Sequence, residues 1–130
     1  MTKIDTIIAV KDVQRSAKWY GEIFDCRNAH GGDHFAVLIS NDDDEVLLCL
    51  HQWDTHEHPT MTDPTITPGN GLLLYFRTDQ MKNIRKNIEK MGGIVEEEIH
   101  LNPNSGKMEF SLRDPDGYYL MITEFHEYEG

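Results

Sequence analysis

Apolar and polar side chains alternate at the start of the chain. Thr6, Ile8 and Val10 interleave with Asp5, Ile7 and Ala9, a period of two that specifies a strand. Asp12 then stands where a helix N-cap belongs. Behind it Val13, Ser16, Ala17, Tyr20, Ile23 and Phe24 recur at helical spacing, with Lys11, Gln14, Arg15, Lys18 and Glu22 on the other side. The pattern predicts a helix over Val13–Phe24. Strands follow over Cys26–His30, His34–Ser40 and Glu45–His51, separated by Gly31-Gly32 and by the acidic turn Asn41-Asp42-Asp43-Asp44. The order is βαβββ.

From Trp53 to Asn70 the periodicity lapses, and Pro59, Pro64, Pro68 and Gly69 mark an irregular connector. The order then returns. Gly71–Thr78 reads as a strand, and Gln80–Met91 as a helix with Met81, Ile84, Ile88 and Met91 on one stripe, capped by Asp79 before it and Gly92-Gly93 after it. Three more strands are predicted over Ile94–His100, Lys107–Leu112 and Tyr118–His126, with turns at Asn102-Pro103-Asn104-Ser105-Gly106 and Asp114-Pro115-Asp116-Gly117. The 130 residues therefore read as one α+β domain with a first module over 1–52, a connector over 53–70 and a second module over 71–130. Two copies are too few for an array, so the modules are expected to pack as one pseudo-symmetric body with a ligand between them.

Composition narrows the choice of partner. Hydrophobic residues make up 38% of the chain, enough for a core, while 23 acidic against 12 basic side chains give a net charge of −11. So acidic a surface repels phosphate backbones and anionic leaflets, and Lys and Arg are scattered, which argues against nucleic acid and membrane as partners. The first residues lack the charged-then-apolar pattern of a secretion signal, and a cytoplasmic location is expected. Cys26 and Cys49 match no paired-cysteine motif and read as free buried thiols.

Four stretches carry a family resemblance: Ile8-Ala-Val-Lys-Asp-Val-Gln-Arg-Ser-Ala-Lys-Trp-Tyr20, Leu74-Tyr-Phe-Arg-Thr-Asp79, Ile88-Glu-Lys-Met-Gly-Gly93 and Phe110-Ser-Leu-Arg-Asp-Pro-Asp-Gly-Tyr-Tyr-Leu120. In this order, on a doubled βαβββ unit, they resemble the vicinal oxygen chelate superfamily, the group of glyoxalases, bleomycin-resistance proteins and extradiol dioxygenases. The resemblance implies two modules whose strands form a curled mixed sheet, an incomplete barrel around a cavity, often in a homodimer.

In the enzymes of that group the resemblance implies a divalent metal held by the first and last strand of each module. Where the family usually has His, seven residues before Asp12, this chain has Asp5. The equivalent in the second module is Leu73 counted from Gln80, or Leu72 counted from Asp79. The carboxylate expected after Asp-Pro-Asp-Gly is replaced by Met121, and the last strand of the first module offers Leu48 or Cys49. A thioether and leucines are poor partners for Mg, Mn, Zn or Fe(II), so no metal cofactor is expected.

Strand parity then places Asp5, Ile7 and Ala9, Leu73, Tyr75 and Arg77, and Tyr119, Met121 and Thr123 on the cavity face, with Cys49, His51 and the lid candidate Trp53 as further ligand contacts. Arg77 offers a fork for a carboxylate or phosphate, and Asp5 a partner for it or for a cation. The run His51, Asp54, His56, Glu57 and His58 is chemically suited to metal, but it reads first as a solvated loop. His30, His34 and His100 stand alone, and no residue is assigned a catalytic role. The expected function is that of a metal-free glyoxalase/bleomycin-resistance-like protein binding a small, partly apolar organic ligand. The alternative is a metal-dependent lyase, isomerase or dioxygenase with one divalent ion at a non-standard site drawing on Asp5, Cys49, His51, His56 or His58. A small regulatory partner acting through its acidic surface is a third reading.

Overall fold

The computed structural model describes residues 1–53 and 58–127, and both halves carry the βαβββ order. The chain divides into two compact units, Met1–Pro68 and Gly69–Gly130. In the first, β1 (Ile7–Val10), α1 (Val13–Phe24), β2 (Cys26–Asn28), β3 (Phe35–Ser40) and β4 (Val46–Gln52) form a four-stranded sheet ordered β1-β4-β3-β2, with β1 and β4 parallel. In the second, β5 (Leu74–Thr78), α2 (Met81–Lys90), β6 (Val95–Asn102), β7 (Lys107–Arg113) and β8 (Tyr119–Glu124) repeat that topology as β5-β8-β7-β6, with β5 and β8 parallel. Among the described residues of the connector, Pro59–Met61 form a short 3-10 turn. Among the described residues no helix is long and apolar enough to cross a membrane.

Each sheet buries its helix-facing side. In the first unit Ile8, Leu50 and Ala36 are register neighbours across three strands, as are Leu38 and Leu48, and all five are 3% exposed or less. They meet Val13, Ala17, Tyr20 and Ile23 of α1, and burying such side chains is the main stabilising term of the fold. In the second unit the corresponding stripe is Leu74, Leu120, Leu112, Phe110 and Ile122, beside Met81, Ile84 and Ile88 of α2.

The helix ends show which local signals are decisive. Asp12 caps α1, its carboxylate accepting from the Arg15 amide at 3.0 Å. The second helix corrects the expectation for Asp79. Its N-cap is Gln80, with no side-chain cap, and the Thr78 hydroxyl accepts from the Gln80 amide. At its far end Gly92 adopts φ +69° and donates to the Glu89 carbonyl, a left-handed turn that stops the helix at little cost only with glycine. The strands also end differently from the hydrophobic pattern. β2 stops at Asn28, whose side chain accepts from the His30 and Gly31 amides, and β5 starts at Leu74 rather than Gly71.

Candidate functional site

The side of each sheet turned away from its helix carries the predicted site residues. In the first unit Ile7 pairs with Cys49 and Ala9 with His51, while Val37 and Phe35 oppose the same two residues from β3. Ala9, Cys49 and His51 are buried, and Ile7 is exposed. Asp5 precedes β1 and is exposed, yet its charge reaches Cys49, whose thiol is pushed up first by burial and then by that carboxylate. His51 donates from Nδ1 to the Gln52 carbonyl at 2.9 Å. His30, Phe35, His51 and His58 follow one another edge to face at centroid distances of 5.3 to 5.9 Å. Trp53 is half-buried, its amide donating to the Val10 carbonyl.

In the second unit two register rows cross the sheet on that side. One holds Tyr75, Met121, Ser111 and Glu97, the other Arg77, Thr123, Glu109 and His100. Tyr119 lies next along β8 opposite Arg113, whose guanidinium covers its ring, and Leu73 precedes β5 and is exposed. Tyr75, Met121 and Tyr119 are half-buried; Ser111, Thr123 and Glu109 are buried. Arg77 is turned to the end of the sheet, donating to the His126 carbonyl and lying over Phe125.

This face corrects two expectations. The lone histidines have partners: His34 bonds to Gln52, His30 packs on Phe35, and His100 places Nδ1 2.8 Å from the Glu98 carbonyl and Nε2 3.4 Å and 3.7 Å from Glu97 and Glu109. The second-unit face is also more polar than its first and last strands predict, because Glu109 and Ser111 enter from β7. The signal lies in the sequence of that strand: Met108, Phe110 and Leu112 alternate with Glu109, Ser111 and Arg113.

Of the positions that the resemblance marks for metal ligands, only Asp5 carries a hard donor. Leu73 offers no donor and Met121 only a thioether. The Cys49 thiol is held toward its protonated form, whereas a metal takes the thiolate. Among the described residues no three His, Cys, Asp or Glu side chains are arranged to hold a metal ion. The expectation for His56, with Asp54 and Glu57, falls outside the described residues. Cys26 and Cys49 are free and buried, as expected.

A cavity of about 540 Å³ lies elsewhere, at the start of α2, lined by Gln80, Met81, Asn83, Met108, Glu124 and Phe125 among others. None of the predicted site residues lines it.

Comparison with known structures places this geometry. A protein of unknown function from Agrobacterium tumefaciens superposes with a TM-score of 0.76 at 19% identity, over 97% of this chain and 95% of that one. A bleomycin resistance determinant encoded on the transposon Tn5 does so with 0.70 at 16% identity, over 98% and 100%. A lactoylglutathione lyase from Agrobacterium tumefaciens gives 0.69 at 17% identity, over 95% and 92%. At these identities the likeness shows the fold. No curated protein matches the chain closely enough to count as a relative. The family model described as Glyoxalase/Bleomycin resistance protein/Dioxygenase superfamily matches residues 3–122, and the chain belongs to that superfamily.

Proposed function

We propose that the protein is a metal-independent member of its superfamily that binds a small, partly apolar organic ligand against a strand face turned away from its helix. The observation that carries the reading is Met121. It occupies the middle of a register row between Tyr75 and Ser111, at the position where the family resemblance implies a carboxylate ligand. A thioether there serves packing against an organic body rather than coordination of a hard cation. Leu73 supports the same reading, and so does the first-unit face. Ile7, Ala9, Val37 and Phe35 give apolar surface, with His51 as a polar group among them. A mainly apolar surface with a few polar groups is the usual composition of a small-molecule site.

The test is equilibrium binding of phenylalkyl amines, alcohols and carboxylates of graded chain length, followed by intrinsic fluorescence on untreated and chelator-treated protein in parallel. Saturable binding of at least one class, unchanged by chelation, is the expected result. Failure of every class to bind, or binding that requires added metal, contradicts the reading.

A further inference from the structure

Glu109 poses a question that the fold leaves unanswered. It sits in the middle of β7 at 3% exposure, and Asn102 donates to its Oε1 at 3.0 Å, but its Oε2 is buried with no hydrogen-bond partner. Ser111, two residues along the same strand and on the same face, is fully buried, and its Oγ also has no partner. Leaving either atom unpaired away from water is unfavourable, and buried polar atoms are nearly always satisfied. The two residues share one face of the strand, with their Cα atoms about 7 Å apart, within reach of one another's longer side chains. Both belong to the face that carries Met121 and Tyr75.

We propose that Glu109 and Ser111 form the polar anchor of the ligand site, and that the ligand is an organic amine whose ammonium group donates to Glu109 Oε2 and Ser111 Oγ while its apolar body lies on Met121 and Tyr75. This deepens the reading of the protein as a small-molecule binder and rests on it. An unpartnered carboxylate oxygen accepts hydrogen bonds, and an ammonium group carries three donors. Charge on this face points the same way. His100 lies between Glu97 and Glu109, and Arg113 is engaged by Glu96 at 3.2 Å and by the Gly117 carbonyl. The net charge of −11 attracts cations to the surface and disfavours carboxylate ligands.

The experiment compares matched phenylalkyl amines, alcohols and carboxylates on the wild-type protein, on Glu109→Gln and on Ser111→Ala. The amines are expected to bind at least tenfold more tightly than the alcohols, with the carboxylates weakest. Glu109→Gln, close in shape, is expected to lose that preference, a charge-assisted hydrogen bond being worth about ten- to a hundredfold in affinity. Ser111→Ala is expected to weaken amine binding by a smaller factor. Binding of alcohols or carboxylates at least as tight as that of amines overturns the anchor while leaving the metal-independent reading intact. So does an amine preference that survives Glu109→Gln. Absence of binding by all three classes overturns both. The wild-type comparison needs no variant to fold.

Discussion

Glu98 and Glu109 meet opposite conditions on neighbouring strands. Glu98 is exposed on β6 and fully engaged, its two oxygens accepting from Arg85 Nε and Nη2 at 2.8 Å each, in a forked pair. Those hydrogen bonds, followed by one from the Ile99 amide, hold its carboxyl well below the usual range, at about 2. Glu109 is buried and half engaged, its Oε2 left open, whereas both Glu98 oxygens are taken. The sign of the Glu98 effect follows from linkage. A carboxyl whose pKa is lowered by folding contributes stability that is fully present above its ordinary range and is lost as pH falls toward 2. Glu98→Gln is therefore expected to lower the urea midpoint modestly at neutral pH, with the gap to wild type closing as the pH approaches 2. A gap that stays constant across that range would remove the ion pair as its cause. The pair is exposed, so added salt is expected to shrink the gap as well.

At the scale of elements, α1 has the strongest local definition. Its bounds, Val13–Phe24, coincide with the periodic stripe, and Asp12 supplies the N-cap. Asp12→Ala is expected to lower stability by about 1 kcal/mol in urea unfolding, the usual value of such a cap. A change within error would mean that the amides of the first turn find another acceptor. The second helix was less legible for a physical reason. Two polar residues, Asp79 and Gln80, precede its stripe, and neither caps it with its side chain, so the residue types do not mark the boundary. The strands were legible as elements and less so at their ends, because the Asn28 side chain closes a local turn where the hydrophobic pattern runs on. The candidate face was legible only in part. Parity along β1, β5 and β8 groups Ile7 with Ala9, Tyr75 with Arg77, and Tyr119 with Met121 and Thr123. The polar members on β7 required the pairing of Ser111 with Met121 and of Glu109 with Thr123, a long-range register that no local pattern encodes.

Over the whole molecule, most of the acidity is exposed, away from the buried residues of the candidate faces. Much of the net charge of −11 lies at exposed turns and strand edges, in Asp42–Glu45 and Glu96–Glu98. β6, which carries the second of these runs, is an edge strand, and charge there discourages pairing with another chain. The faces turned away from the helices carry instead the apolar residues Ile7, Val37 and Met121, with a small number of buried polar groups. Membership of a superfamily that includes metal-dependent enzymes makes the loss of ligating residues the central claim about this chain. Its most direct test is the metal content of protein expressed and purified without chelators, measured by elemental analysis against protein concentration. Zinc, manganese, iron and nickel are expected far below one ion per chain, with Asp5→Ala indistinguishable from wild type. One equivalent of any of these metals per chain, lost in Asp5→Ala, would contradict that claim.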